Sequence, residues 1–235
     1  MFRICGLAAL CFLFLLNTVQ AGVVLGGTRI IYPSNQAEVQ IALKNRDANE
    51  RYLVQSWVSD INDNKAPFII TPPIYKLEEN QQTLLHVVYS GNKNMLPEDR
   101  ESLFMANVKS ISAIPANMRD QNALQFAVKT RIKLFYRPSS LNNNEAKNAW
   151  EKLRFHQSQG QLVVDNPTPY FVTFGKLTVG GKNVVPAVKT KLPSALTMML
   201  PPFAEQRFQL PGNGAVTWTA IDDFGSETRS ITQSP

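Results

Sequence analysis

Between Leu124 and Pro138 the chain reads Leu-Gln-Phe-Ala-Val-Lys-Thr-Arg-Ile-Lys-Leu-Phe-Tyr-Arg-Pro, with Lys129, Arg131, Lys133 and Arg137 spaced by even intervals. At the period of two that a β-strand imposes, these cations share one face with Gln125. The other face carries Leu124, Phe126, Val128, Thr130, Ile132, Leu134 and Tyr136. Cations so arrayed hold carboxylates and other anions through charge-assisted hydrogen bonds. Two readings of the stretch stand side by side. It is either a central sandwich strand with a solvated outer face, or a strand whose apolar face and lysines grip another chain.

Arg29 is a further cation, set among apolar residues in Val-Val-Leu-Gly-Gly-Thr-Arg-Ile-Ile. There it needs a partner or a route to water, unless it serves as an edge-strand charge against aggregation. Catalytic constellations are missing from the sequence. It has two histidines, His86 and His156, no Gly-x-Ser-x-Gly elbow and no His-Glu-x-x-His helix. Gly180-Gly181-Lys182-Asn183 resembles a phosphate loop only in part, because Lys176 stands where a glycine belongs and Asn183 where Ser or Thr would hold magnesium. It reads as a hairpin turn. The pairs Glu78-Glu79 and Asp222-Asp223 are adjacent, so in a strand their carboxylates diverge. No enzyme, no metal site and no cofactor is expected.

Residues 1–21 have a basic start at Arg3, an apolar run from Ile4 to Leu16 and the small-residue ending Val19-Gln20-Ala21, the order of a secretory signal peptide. The apolar run is short for a membrane span, so no stable membrane insertion is expected. Both cysteines, Cys5 and Cys11, fall in that segment, so a mature chain from Gly22 must be held by its cores alone. The formal net charge is +6. For an exported protein this favours anionic peptide termini, acidic partners or membrane headgroups over nucleic acid, since no basic block is interleaved with aromatic platforms.

The elements that must position these residues are strands. An opening strand from Gly22 to Ile31 is broken at Gly26-Gly27, where a glycine pair permits a bulge or a change of direction. Val39, Ile41 and Leu43 alternate; Tyr52 to Ser59 is extended, with Trp57 expected as the aromatic plug of the core. A strand ends at Pro72-Pro73, Thr83 to Tyr89 alternates with His86 as an ordinary cross-strand residue, and Met105 to Ile111 leads through a loop at 115–122 into Leu124. About seven short strands with turns between them predict an immunoglobulin-like β-sandwich. The polar stretch Ser139 to Asn144 marks a boundary, giving domains of 22–141 and 142–235 after the signal peptide at 1–21. One helical turn is expected at Glu145 to Trp150. Strands are then expected at 161–164, 170–174, 177–179, 195–200, 205–210 and 215–221, a second β-sandwich with a cleft between the two.

Two motifs carry a resemblance. Leu-Pro-x-Asp-Arg-Glu-Ser-Leu-Phe-x-x-Asn-Val from Leu96, and Ile-Lys-Leu-Phe-Tyr-Arg-Pro ending at Pro138, resemble the periplasmic pilus-assembly chaperones of the chaperone/usher pathway. Asn166-Pro167-Thr168-Pro169-Tyr170 and Asp223-Phe224-Gly225 extend the likeness over the whole mature chain. Met105 replaces the family's usual aromatic residue and Ser112 its proline, and a carboxy-terminal disulfide found in some members has no cysteines here. The short loop before Leu124 is similar to that of the short-loop subgroup.

The resemblance implies an all-β protein of two immunoglobulin-like domains in a boomerang arrangement, located in the periplasm. Its implied function is to bind pilus subunits by donor-strand complementation and deliver them to an outer-membrane usher. Arg29 and Lys133 match the basic pair that anchors a subunit's carboxy terminus. Leu124, Phe126, Val128 and Ile132 match the strand that fills the subunit groove, and Glu101, Arg137 and Asp223 match an interdomain ionic network. The competing classes are an exported β-sandwich adhesin or pilus structural subunit and, more remotely, a secreted hydrolase.

Overall fold

The computed structural model describes residues 22–92, 95–114, 125–188 and 194–234. The expected signal peptide, the loop at 115–122 and Leu124 lie outside the described residues. Two β-sandwiches follow one another along the chain.

The first sandwich has a four-stranded sheet of β1 (Val23–Leu25), β3 (Val39–Asn45), β7 (Gln82–Tyr89) and β5 (Phe68–Thr71), in the spatial order β1-β3-β7-β5. Its five-stranded partner holds β2 (Arg29–Pro33), β9 (Ala127–Arg137), β8 (Ser102–Ser112), β4 (Tyr52–Ser59) and β6 (Ile74–Leu77), ordered β2-β9-β8-β4-β6. The opening strand therefore changes sheets at Gly26-Gly27. Gly26 donates its N–H to the Ala42 carbonyl at 2.8 Å, and a Cβ there would stand 2.9 Å from the Ala42 methyl. Only glycine permits that approach without a shift.

Alternation places Val54 and Val58 in the core with Leu43, Leu77, Leu85, Val87 and Leu134. An aromatic group of Tyr32, Phe68, Phe104 and Tyr136 fills one end, with Phe68 and Phe104 edge to face at 5.0 Å. Trp57 is not part of it. Its strand buries Val54, Ser56 and Val58, so the pleat turns Trp57 to the outer face, where the Lys129 ammonium lies 5.2 Å from its ring centre. His86 is the cross-strand surface residue expected, with Nδ1 2.9 Å from Glu38.

The second sandwich joins β10 (Arg154–Ser158), β11 (Gln161–Asn166), β16 (Ala204–Gln209) and β14 (Val185–Pro186) in one sheet. The other holds β13 (Lys182–Asn183), β12 (Val172–Val179), β17 (Val216–Ala220) and β18 (Ile231–Gln233), with β15 (Met199–Leu200) paired to β12. Trp218, Phe208, Leu162 and Leu200 are its most buried large side chains. The two strands expected at 170–174 and 177–179 are one strand with an irregularity between Phe174 and Lys176. The first half of the strand expected at 195–200 is instead a helical turn, Ser194–Thr197, and only Met199–Leu200 is extended. The expected helical turn is present as α1 (Asn143–Asn148), capped by Asn142, whose side chain accepts from the Asn144 N–H at 2.8 Å. A 3-10 turn, Ala149–Lys152, continues it and buries Trp150 against the second core.

Candidate functional site

β9 organises the site. It pairs antiparallel with β8 along its whole length, from Ala127 opposite Ile111 to Tyr136 opposite Ser102. On its other side β2 runs parallel to it, but only from Arg29 level with Lys133 to Pro33 level with Arg137. On that second side, among the described residues, no strand pairs with Ala127 to Ile132. That half of β9 is an open edge, with alternate N–H and C=O groups unpaired.

The two faces of β9 meet different surroundings. Its even-numbered face turns toward the first core, and Ile132, Leu134 and Tyr136 are buried there. The core ends before the strand does. Phe126 is 66% exposed and Val128 59% exposed, large apolar groups left in water beyond the covering sheet. Ile132 does not join them: it is 9% exposed and packed in the first core, because that core still reaches its position.

The odd-numbered face is not a solvated outer surface at its far end. Phe135 packs on Phe171 of the second sandwich, ring centres 5.5 Å apart, and Lys133 and Arg137 are buried in the seam. Arg137 donates Nε–H to Glu101 at 2.7 Å and both Nη groups to Asp223 at 2.8 and 3.0 Å. Glu101 in turn accepts the Phe171 N–H at 2.8 Å. The three expected network residues are thus joined, with Asn143 as a fourth member through a 3.0 Å bond to Arg137. Burial works against the Arg137 charge, yet the bond to Asp223 and the charge of Glu101 hold its pKa above the usual value.

Arg29 and Lys133 sit next to this network but outside it. Lys133 donates Nζ–H to Thr173 Oγ1 at 3.1 Å, and Arg29 donates Nη1–H to the Ile221 carbonyl at 2.9 Å. The Arg29 Nε is buried without an acceptor, and its guanidinium lies 5.8 Å from the Phe135 ring centre. Burial, then the neighbouring Arg29 charge, depress the Lys133 pKa to about 8. Burial likewise lowers Arg29, against the opposing field of Asp223 and Asp222. Both cations line a cleft of about 450 Å³ between the sandwiches, walled by Thr28, Met105, Ile132, Phe174 and Leu196 among others. Two adjacent, poorly solvated cations with polar rather than anionic partners suit an incoming carboxylate. Thr173 and the Ile221 carbonyl escaped sequence reasoning, since nothing local ties positions in the second domain to Arg29 or Lys133.

A two-sandwich protein whose seam holds a cationic cleft, and whose central strand has an open edge leading into it, has the architecture of a pilus-assembly chaperone. Residues 22–142 match the family model described as pili and flagellar-assembly chaperone, PapD N-terminal domain, and residues 148–232 match the pili assembly chaperone PapD, C-terminal domain. The chain belongs to this chaperone family, which is not an enzyme family. It is 39% identical over 216 residues to the chaperone protein FimC of Escherichia coli O6:H1, covering 91% of this chain and 84% of that one. The crystal structure of the periplasmic chaperone SfaE superposes with a TM-score of 0.73 at 35% identity, covering 91% of this chain and 99% of that chain. A structure of the Salmonella enterica SafA pilin in complex with the SafB chaperone matches with a TM-score of 0.75 at 31% identity, over 93% and 98% of the two chains. The fold is accordingly two immunoglobulin-like β domains, and the function is that of a fimbrial chaperone.

Proposed function

We propose that the chain works in the periplasm, where it captures pilus subunits by lending them the upstream half of β9 and hands them to an outer-membrane usher. The observation that carries this reading is the open edge of β9 at Ala127 to Ile132, which runs past exposed Phe126 and Val128 and ends at Arg29 and Lys133. A subunit strand added there occupies the edge that β2 occupies further along. With its carboxylate on the cation pair it must run parallel to β9, in line with β2. Strand addition of this kind, donor-strand complementation included, is a known mode of peptide recognition. The SafA–SafB complex shows that a similar chaperone holds a pilin. In this reading 22–141 is the lending domain, 142–235 supplies the other wall of the cleft, and Leu124 extends the lent strand.

The two parts of the site contribute differently. Each large apolar side chain buried in a subunit groove supplies roughly 1.5 to 3 kcal/mol before ordering costs. Each charge-assisted bond to the carboxylate supplies about 1.5 to 3 kcal/mol. A slip of one residue would turn Phe126 and Val128 away from the groove, so the carboxylate anchor chiefly fixes register. The seam network fixes the angle between the two walls. Membership in a chaperone family disfavours the adhesin or structural-subunit reading.

The test is co-expression of the mature chain with a pilus subunit from the same cell, comparing wild type with Arg29→Ala and Lys133→Ala. Capture by wild type and its loss in both variants are expected. Absence of any complex, or complexes indifferent to both substitutions, would overturn the anchor.

A further inference from the structure

Upstream of the cleft the odd-numbered face of β9 continues as a row of cations. Lys129 and Arg131 follow Lys133 on that face, and Lys109 of β8 lies directly opposite Lys129. Like charges set opposite one another on neighbouring strands are destabilising in themselves. Among the described residues the carboxylate in ion-pair range of the row is Asp63, 3.4 Å from Lys129, 3.3 Å from Arg131 and more than half exposed, and the Asp60 carboxylate lies close enough to interact with the Arg131 charge. Arg131 also donates to the Asp60 and Ile61 carbonyls at 3.1 and 3.3 Å, while its Nε is buried without an acceptor. Among the described residues three cations, Lys109, Lys129 and Arg131, thus face two carboxylates, along the strand half whose edge is open.

We infer that this row selects acidic side chains on the outward face of the strand that a subunit adds to β9. The inference rests on the strand-addition reading above. Neighbouring strands lie about 4.8 Å apart, and side chains alternate between faces with period two. When the added strand turns its groove-side residues the way Phe126 and Val128 point, its remaining residues lie level with Arg131 and Lys129. Glutamate or aspartate at those positions is matched by the row, and lysine or arginine is repelled. The carboxy-terminal anchor and the groove cannot make this distinction, because the anchor reads only the terminal carboxylate and the groove only the inward face. The row thus adds a charge criterion at alternate positions of the partner strand, continuous with the carboxylate site at Lys133.

The experiment uses the mature chain and three synthetic peptides of alternating valine, each ending in a free carboxylate, with glutamate, serine or lysine between the valines. Fluorescence anisotropy of labelled peptides gives their affinities. The glutamate peptide should bind about tenfold more tightly than the lysine peptide at low ionic strength, with the serine peptide between them, and the ratio should shrink as salt rises. In the Lys129→Glu/Arg131→Glu variant, checked for folding by circular dichroism, the order should level or reverse. Amidating the carboxy terminus should weaken all three peptides by a common factor and leave their ratio intact. Equal, salt-insensitive binding of the three carboxylate peptides to wild type would overturn the charge criterion while leaving strand addition standing. Binding of none of them would overturn both.

Discussion

Arg29 and Lys133 lie level with one another on adjacent parallel strands, two like charges side by side in the seam between the domains. Among the described residues neither makes an ion pair; their partners are the Ile221 carbonyl and the Thr173 hydroxyl. Four residues further along the same face, Arg137 has two carboxylates. One strand thus carries a cation paired with two carboxylates across the seam and another whose partner is a neutral hydroxyl.

The charge on Lys133 should appear in stability against pH. Its pKa is depressed to about 8 in the folded chain, from a usual 10.5. Between those values the unfolded chain binds the proton that the folded chain has released, so stability rises with pH across that window. The rise is on the order of 3 kcal/mol at most. Denaturant unfolding of wild type and Lys133→Met between pH 7 and about 10.5 should show the rise only in wild type.

On the proposed reading, carboxylate capture above about pH 8 should return a proton to Lys133. Because a lysine holding a carboxylate would be charged and the free one titrates near 8, affinity for a subunit should fall as pH climbs above about 8. Calorimetry in buffers of different ionisation enthalpy should detect the proton taken up on binding.

Phe126, one residue before β9, and Ile132 have the same parity along the chain and should behave oppositely. Phe126→Glu should leave thermal stability within about 0.5 kcal/mol of wild type and abolish capture, since the side chain is two-thirds exposed. Ile132→Ala should cost about 2 to 5 kcal/mol of stability, as a buried residue of the first core does. Urea unfolding beside a capture assay separates the two.

Breaking the seam network should be costly on one side and mild on the other. Arg137→Ala leaves Glu101 buried and uncompensated, a loss of roughly 3 to 5 kcal/mol. Asp223 keeps 30% of its side chain exposed, and Asp223→Ala should cost less than half as much while loosening the interdomain angle. Chemical denaturation measures the first effect and small-angle scattering the second.

The strands were legible in the sequence wherever alternation was clean, as in β3, β7 and β9. The network residues were legible through motifs: Glu101, Arg137 and Asp223 stand in the stretches that carry the family likeness, and the structure brings them within bonding distance. Three things were not legible. The preference of large aromatics for cores points Trp57 inward, but the parity of its strand is set by Val54 and Val58, with the small Ser56 buried between them. The burial of Ile132 depends on where the opposite sheet ends, which a period of two along one strand does not contain. The downstream end of the cationic face of β9, at Lys133 and Arg137, meets the second sandwich rather than water, a contact between segments far apart in sequence. Thr173 and Ile221 belong to the site for that same reason.

Amide hydrogen exchange can decide whether the open edge of β9 receives a strand from a subunit. In the free chain the edge-facing amides between Ala127 and Ile132 should exchange rapidly while those bonded to β8 are protected. In a purified complex with a pilus subunit those same amides should become protected, together with the amides around Lys133. A complex that forms while the edge amides keep exchanging at their free rate would contradict the claim.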